Sequence, residues 1–292
     1  MKIALYGKIF TGQSEESIKK LFEKIGLMKA ELYIFKDFND FLLNKGIEVP
    51  EYRKIFKFGQ SLPADTDFLF SFGGDGTFLQ TVNIVKDSGI PVIGINAGRL
   101  GFLSNISIEN LSESLEALFN GKYSIEERSL IKLEIEGSLK IKPAIALNEI
   151  TIHKRDMGMI TIHVELDGEF LNSYWADGLI ISTPTGSTAY SMSVGGPIIL
   201  PDSGNFIISP VSPHNLTVRP MVIPDTKKIR LKVSSRSDKY LVAVDSNSVS
   251  VNTGSELTIE KAPYTMKLVR IEGSSFYNTL RTKLMWGMDK RN

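Results

Sequence analysis

The pattern of apolar residues along the chain changes near residue 122. Before that point, short apolar runs at residues 3–6, 32–35, 68–72 and 92–95 alternate with segments of helical periodicity. Strands that alternate with helices are typical of βαβ units. We therefore expect an N-terminal, Rossmann-like α/β domain built on a parallel sheet.

Residues 14–25 show the clearest helical periodicity. Ser14 is placed to cap the start of this helix and Gly26 to end it, and a second helix is expected before Gly121. The apolar residues that share one helix face are Ile18, Leu21, Phe22 and Ile25 in the first helix and Leu111, Leu115 and Leu118 in the second.

From about Tyr123 onward, apolar and polar residues alternate, as in residues 131–135, 160–166 and 229–233. The pair Asp167-Gly168 between two such runs is typical of a type I′ hairpin turn. The second half of the chain is therefore expected to be an all-β, mostly antiparallel domain.

These patterns predict three segments of the chain. They are an α/β domain at residues 1–122, a β-rich domain at residues 123–270, and a C-terminal segment at residues 271–292 that packs back on the first domain. Because no long flexible linker stands between the domains in the sequence, we expect a ligand site where they meet.

Composition narrows the class of partner. The 34 basic and 33 acidic residues leave a net charge of +1 and form no long block, so neither nucleic acid nor an anionic membrane is an expected partner. The lack of cysteine excludes disulfides and cysteine-ligated zinc. No apolar run has the length of a membrane span and the first residues do not form a signal peptide, so a cytoplasmic location is expected.

The residues Gly73-Gly74-Asp75-Gly76-Thr77 follow an apolar run and precede a helix-like segment. Glycines in such a turn let backbone N–H groups approach a phosphate closely. The Asp75 carboxylate would repel that phosphate unless it accepts a proton from a nucleophile or meets the charge through a metal ion. The motif therefore indicates phosphoryl transfer, and a purely structural turn is the alternative.

Residues 177–197 are dense in hydroxyl groups and glycines, a composition that we do not expect to form a core. Hydroxyls can donate to ribose and phosphate oxygens, and Tyr190 offers a ring face to adenine or nicotinamide. A long exposed loop is the alternative.

Asn148 and Glu149 interrupt an apolar strand expected at residues 144–152, where alternation places their side chains on opposite faces. An amide and a carboxylate could read an adenine edge and a ribose hydroxyl, because an amide both donates and accepts. Solvent-facing residues at a strand end are the alternative.

Together these motifs closely resemble those of the bacterial NAD kinases. The resemblance covers nearly the whole chain, and the hydroxyl-rich segment is its most specific part, since diacylglycerol, sphingosine and 6-phosphofructokinase-like enzymes share the glycine motif. It is carried by residues 73–77, 96–103, 147–149, 177–197, 212–216, 245–247, 276–280 and 283–286.

The resemblance implies transfer of the terminal phosphoryl group of ATP to the 2′-hydroxyl of the adenosine ribose of NAD, which gives NADP. Asp75 would be the general base, and Mg²⁺ would be carried on the phosphates of ATP. The β-rich domain would bind the dinucleotide, and family members assemble as homodimers or homotetramers whose sites borrow residues from a neighbour.

The resemblance also implies the site residues. Asn148 and Glu149 would contact adenosine, and Asp177 would be a ribose-side or nicotinamide-side carboxylate at a subunit contact. The full set of positions that match the family's binding residues is Gly73, Gly74, Asp75, Gly76, Thr77, Phe102, Asn148, Glu149, Asp177, Thr188, Ala189, Tyr190, Ser191, Met192, Ser193 and Asn247.

Two positions depart from the family pattern. Trp175 stands where many relatives have arginine, so the arginine's contact to the diphosphate or to a bound NADP is in question in this chain. Asn247 stands where glutamine is common, and its shorter amide reaches less far.

Two other functions share some of these features. A diacylglycerol-type lipid kinase would have the same glycine motif, but the sequence shows no apolar entry run or basic membrane-facing patch. A non-catalytic dinucleotide sensor would bind phosphate better without a carboxylate facing it, so the presence of Asp75 argues against that function.

The three histidines, His153, His163 and His214, lie in separate segments without ligand spacing, so no protein metal site is expected.

Overall fold

The computed structural model describes residues 1–8, 14–97, 101–136 and 144–287. The chain divides into two compact units. The first unit comprises Met1–Glu127 and Met266–Asn292, and the second comprises Arg128–Thr265.

The helices and strands are numbered along the chain. The described residues form the helices α1 Ser14–Leu27, α2 Lys36–Asn44, α3 Asp75–Gln80, α4 Val82–Val85, α5 Leu111–Phe119, α6 Tyr190–Ser193 and α7 Phe276–Leu284, with one 3₁₀ turn at Thr185–Thr188. The first ten strands are β1 Lys2–Gly7, β2 Glu31–Phe35, β3 Lys54–Phe56, β4 Phe68–Phe72, β5 Val92–Asn96, β6 Ile106–Ser107, β7 Tyr123–Arg128, β8 Ile131–Ile135, β9 Ile145–Ala146 and β10 Glu149–His153. The remaining strands are β11 Ile160–Leu166, β12 Glu169–Ala176, β13 Gly178–Ser182, β14 Asn205–Val211, β15 Met221–Pro224, β16 Ile229–Ser235, β17 Lys239–Val244, β18 Asn247–Asn252, β19 Glu256–Lys261 and β20 Met266–Ile271.

The first unit is built on one eight-stranded sheet with the order β3-β2-β1-β4-β5-β20-β7, and β6 also pairs with β5. The pairs β1/β2, β1/β4, β2/β3, β4/β5, β5/β6 and β5/β20 are all parallel. Every residue of β4 and β5 is buried, as in a sheet covered on both faces. The prediction of an N-terminal parallel-sheet domain is confirmed.

The helices of the first unit bury the predicted faces. Ile18, Leu21, Phe22 and Ile25 of α1 are buried, and so are Leu111, Leu115 and Leu118 of α5. The end predicted for the first helix was wrong, because Gly26 lies inside α1 and the chain turns at Lys29, which has a φ of 50°. The side chain of Ser14, predicted to cap α1, lies outside the described residues.

The first unit contains two strands that alternation along the sequence assigned to the β-rich domain. These are β7 and β20, and they lie side by side in the parallel sheet. On them Arg270 donates to both carboxylate oxygens of Glu126, from Nε over 2.5 Å and from Nη2 over 3.1 Å. The guanidinium is buried, so this forked ion pair joins the strand that returns from the second unit to the strand that leaves the first.

The second unit is a sandwich of two antiparallel sheets. One has the order β15-β14-β13-β10-β17-β18 and the other has the order β12-β11-β16-β19-β8-β9. Alternate residues of both sheets, among them Ile152, Ile162 and Val242, share one apolar core. The prediction of a mostly antiparallel β domain is confirmed, as is the type I′ turn, since Asp167 and Gly168 both have positive φ.

One predicted strand is in fact two. The apolar run at residues 144–152 was expected to form a single strand, but β9 belongs to one sheet and β10 to the other. The chain changes sheets at Leu147 and Asn148, which lie in a bend. A continuous apolar run is compatible with this crossing because both sheets face the same core.

No helix among the described residues has the length and apolar character needed to cross a membrane.

The ion pair between β7 and β20 leads to a prediction about stability. Replacing Glu126 by Gln should lower the free energy of unfolding by about 3 kcal/mol, because the buried guanidinium of Arg270 loses its charged partner. This value is at the lower end of the range for breaking a buried ion pair, because the Glu126 side chain is 32% exposed. Urea unfolding followed by circular dichroism measures the difference.

The matched control is Glu16→Gln in the same unit, which removes an exposed ion pair to Lys20 on α1. That change should cost less than about 1 kcal/mol. Equal losses in the two variants would contradict the role given to the buried pair.

Candidate functional site

The glycine-rich turn lies between β4 and α3, as the sequence predicted. The Gly73 amide donates to the carbonyl of Ile95 on β5 over 2.9 Å. The amides of Thr77 and Phe78 both donate to the Gly74 carbonyl, which starts α3 directly after the turn. The turn is therefore attached to two adjacent strand ends of the parallel sheet, where ligands of α/β proteins usually bind.

The Asp75 carboxylate accepts three successive backbone amides. Its Oδ2 accepts from Phe102 over 2.8 Å, and its Oδ1 accepts from Leu103 over 3.1 Å and from Ser104 over 3.0 Å. A carboxylate offers about four acceptor positions. Within the described part of the chain, these amides leave one position on Oδ2 for a further donor.

Gly101 is the residue that lets this carboxylate sit so close to the backbone. A Cβ atom at that position would lie 1.8 Å from Asp75 Oδ1, so any side chain there would displace the carboxylate. Of the motif at residues 96–103, Gly98, Arg99 and Leu100 lie outside the described residues.

In the second unit, Asp245 makes the same kind of contact with the segment that carries Asn148 and Glu149. Its Oδ2 accepts from the amide of Leu147 over 2.9 Å, and its Oδ1 accepts from Asn148 over 2.9 Å and from Glu149 over 3.1 Å. The Asp245 amide in turn donates to the Glu149 carbonyl over 3.0 Å.

Hydroxyl groups hold the opposite side of the same segment. Thr183 Oγ1 donates to the Leu147 carbonyl over 2.5 Å, and the Thr183 amide donates to the Asn148 carbonyl over 2.9 Å. A Cβ atom at Gly186 would lie 2.2 Å from that Asn148 carbonyl oxygen, so only glycine fits there. The hydroxyl-rich segment and the Asn148-Glu149 pair therefore form one packed structure.

This packing corrects the prediction that residues 177–197 cannot contribute to a core. Ser182, Thr183, Ser187 and Ser191 are fully buried. Burial is tolerated because each hydroxyl finds a partner: Ser187 Oγ bonds the backbone of Ile199, and Ser191 Oγ lies 3.0 Å from Ser209 Oγ. The alternative of a long exposed loop is also wrong.

The remaining candidates of this segment differ in exposure. Thr188, Ala189 and Met192 are partly buried, and Tyr190 and Ser193 are exposed. Thr188 ends the 3₁₀ turn, Ala189 links it to α6, and Tyr190, Met192 and Ser193 lie in α6.

Asp177 is held by a partner that the sequence did not reveal. Lys154 Nζ lies 2.6 Å from Asp177 Oδ1, and the Lys154 amide donates to the Asp177 carbonyl. The two residues follow β10 and β12, whose ends are far apart in the sequence, so no local pattern could have paired them.

The two positions that depart from the family pattern have different surroundings. The Trp175 ring is half exposed and lies 5.0 Å, centroid to centroid, from the His214 ring. The His214 amide donates to the Trp175 carbonyl over 2.9 Å. Asn247 is exposed at the start of β18.

Two neighbouring acids of the second unit, Glu149 and Asp245, have raised pKa values. Burial raises the pKa of Glu149 to about 8, and the nearby Asp245 carboxylate adds to the rise. Burial also raises the pKa of Asp245 to about 6, against the opposing effect of its amide hydrogen bonds. Among the described residues, Glu149 Oε2 is buried without a hydrogen-bond partner.

The described part of the chain holds no group of three or more His, Asp or Glu side chains arranged to bind a metal ion. His163 Nδ1 lies 2.7 Å from Ser173 Oγ, and His153 Nδ1 lies 2.9 Å from the Lys154 carbonyl oxygen. Both rings have hydrogen-bond partners within their own sheets or turns.

Comparison with known proteins gives a consistent result in both units. The family model described as the ATP-NAD kinase N-terminal domain matches residues 5–123, and the model of the ATP-NAD kinase C-terminal domain matches residues 147–271. The curated NAD kinase of Flavobacterium johnsoniae is 45% identical over 295 aligned residues, with 100% of each chain covered. The NAD kinase of Bacteroides fragilis is 43% identical with the same coverage.

Two solved structures have the same fold. Yeast NADH kinase complexed with NADH matches with a TM-score of 0.84 at 22% identity, over 98% of this chain and 88% of that one. An NAD kinase from Archaeoglobus fulgidus in complex with ATP matches with a TM-score of 0.72 at 25% identity, over 98% of this chain and 99% of that one. Since both domain models match in order and curated relatives align along their whole length, the chain belongs to the ATP-NAD kinase family.

Proposed function

We propose that this protein is an NAD kinase that transfers the terminal phosphoryl group of ATP to the 2′-hydroxyl of the adenosine ribose of NAD, producing NADP. The full-length match to curated NAD kinases supports the reaction. The main structural support for the reaction is that three backbone amides fix the Asp75 carboxylate beside the glycine-rich turn.

Asp75 acts as the general base in this proposal. Three of its acceptor positions are filled by backbone amides, and the remaining position on Oδ2 accepts the proton of the ribose hydroxyl as the oxygen–phosphorus bond forms. The amides hold the carboxylate in one orientation, so positioning supplies a large part of the rate. Gly73, Gly74, Gly76 and Thr77 bind the phosphates of ATP, which brings Mg²⁺ as part of the substrate.

The dinucleotide is bound by residues of the second unit. Asn148 and Glu149 contact adenosine, and residues 188–193 line the dinucleotide. The Asp177 carboxylate contacts the ribose side or the nicotinamide side of the dinucleotide. The Ser191 side chain is buried against Ser209, so its contribution is to hold this segment in shape. Phe102 and Asn247 complete the proposed set.

The raised pKa values of Glu149 and Asp245 reduce the negative charge near a substrate that itself carries a negatively charged diphosphate. With pKa values of about 8 and about 6, Glu149 and Asp245 together hold roughly one proton at neutral pH. The pair therefore presents one negative charge rather than two. Glu149 in its neutral form both donates and accepts a hydrogen bond.

A homodimer or homotetramer whose site is completed by a neighbouring subunit, and a cytoplasmic location, remain proposals that rest on the sequence. The lipid kinase alternative is not proposed, because both family models that match the chain are NAD kinase domains.

Asp75→Asn should reduce turnover by about 10²- to 10⁴-fold, the range expected when a general base is lost. Affinity for NAD, measured by calorimetry, should change little. NADP formation is measured in a coupled assay below the melting temperature of each variant, because the asparagine NH₂ would face one of the amides that Asp75 now accepts.

Gly101→Ala serves as the control for that prediction, since it keeps the carboxylate but displaces it through contact with the new Cβ. Turnover should fall in this variant too, and both variants should stay folded in the assay. Near-normal turnover in Asp75→Asn would contradict the assignment of Asp75 as the general base.

Tyr190→Ala should raise the KM for NAD by about 5- to 150-fold, the equivalent of about 1–3 kcal/mol of stacking on one base. The KM for ATP should be unchanged. Tyr277→Ala is the matched control, because Tyr277 is also an exposed tyrosine but lies on α7 of the first unit. An equal effect of both changes on the KM for NAD would count against the stacking role.

Glu149→Gln should increase thermal stability relative to the wild type at pH 9 but not at pH 5. The folded pKa of about 8 lies above the ordinary 4.5, so the folded chain binds this proton more tightly than the unfolded chain. Its stabilising effect is full below pH 4.5 and is lost as the pH rises through 8. The glutamine does not titrate, so the difference in Tm should grow by about 4 °C or more between the two pH values.

Glu134→Gln is the control for this measurement. The Glu134 carboxylate is largely exposed and Lys132 holds its pKa below the usual value, so the Tm difference should not depend on pH between 5 and 9. A pH-independent difference for Glu149→Gln would refute the buried, protonated state.

A further inference from the structure

The turn that carries Asp245 has an unusual backbone conformation. Val244 pairs with Asn247, so Asp245 and Ser246 form a two-residue hairpin between β17 and β18. Asp245 has a φ of 49°, a conformation that favours glycine at this place in a hairpin. Aspartate adopts this conformation more readily than most residues other than glycine, so the turn can present a carboxylate here.

The side chain of Asp245 supplies hydrogen-bond acceptors where the chain changes sheets. In a strand, successive amides point in opposite directions and pair with different neighbours. Where the chain crosses from β9 to β10, the amides of residues 147–149 all turn toward one carboxylate, that of Asp245. Without it, this bend would leave several N–H groups without their acceptor.

The two faces of the crossing are fixed by different elements. Asp245 holds the amides, while Thr183 and Ser182 hold the carbonyls of Leu147 and Asn148. With both faces of the backbone bonded, the directions in which the Asn148 and Glu149 side chains leave it are also fixed. Asn148 is buried, and Glu149 is partly exposed.

We propose that Asp245 is a positioning residue for the dinucleotide, which acts by fixing the backbone of residues 147–149 and thereby the side chains of Asn148 and Glu149. This inference rests on the proposed function, in which those two side chains contact adenosine. Asp245 has no part in the chemistry of phosphoryl transfer, and its effect is on the affinity for the dinucleotide.

The charge of the pair supports this role. The Asp245 carboxylate adds to the rise in the pKa of Glu149, so the same residue that orients Glu149 also favours its neutral form. Among the described residues, no other charged side chain contributes to the rise in the pKa of Glu149.

The test uses two substitutions that both suit a positive φ, so the turn itself is not strained. Asp245→Asn keeps the oxygen that accepts from Asn148 and Glu149 but turns an NH₂ group toward the Leu147 amide. Asp245→Gly removes all three contacts. The KM for NAD should rise by about tenfold in Asp245→Asn and further in Asp245→Gly, whereas the KM for ATP should stay within about twofold.

The matched control is Asp167→Asn. Asp167 is also an aspartate at positive φ in a two-residue hairpin of the same unit, and its carboxylate accepts the amide of Lys228 over 2.9 Å. Its substitution should leave the KM for NAD within about twofold of the wild type. A purely structural role of Asp245 would lower the active fraction and leave both KM values unchanged, which would overturn the proposal.

Hydrogen exchange and calorimetry decide the question without relying on catalysis. The Leu147 amide should exchange at least about tenfold faster in Asp245→Asn, and the amides of residues 147–149 should all do so in Asp245→Gly, with a loss of affinity for NAD of at least a similar factor. Wild-type exchange rates, or wild-type affinity, in Asp245→Gly would refute the inference. A wild-type enzyme that binds NAD but forms no NADP would refute the proposed function alone.

Discussion

The structure depends at two places on an aspartate carboxylate that accepts three successive backbone amides. A chain that leaves a strand loses the acceptors of its sheet, and a buried N–H group without a partner is costly. Asp75 satisfies residues 102–104 in the first unit, and Asp245 satisfies residues 147–149 in the second. In each case the acid lies just beyond the end of a strand, β4 for Asp75 and β17 for Asp245, and bonds a segment that is distant in the sequence.

The same contact serves different purposes in the two units. Around Asp75 it leaves one acceptor position open, and a carboxylate so held needs little reorganisation before it takes a proton. Around Asp245 the interaction with the amides shapes a neighbouring segment whose side chains bind the substrate. The glycines at positions 101 and 186 permit the close approach that each arrangement needs.

The sequence predicted the features that depend on local periodicity. The buried faces of α1 and α5, the parallel and antiparallel halves and the hairpin at Asp167-Gly168 follow from the spacing of apolar and turn residues. Local spacing does not predict that β7 and β20 lie in the first sheet, or that the chain crosses between sheets at residues 147–148. Both features are set by partners far away in the chain. Among site residues, the glycine-rich motif identified Asp75. The family resemblance included residues 245–247 but gave Asp245 no role, and Lys154 had no local signal.

The position of β20 has a consequence for the order in which the protein can fold. This strand lies between β5 and β7 in the first sheet, yet the whole second unit separates it from them along the chain. Among the described strands, β20 is the neighbour of β7 in this sheet, so during synthesis from the N-terminus β7 waits for residues 266–271 to emerge from the ribosome. The β-sandwich therefore has all its strands available before the parallel sheet does, and the sheet that carries Asp75 closes only after the last strand is made.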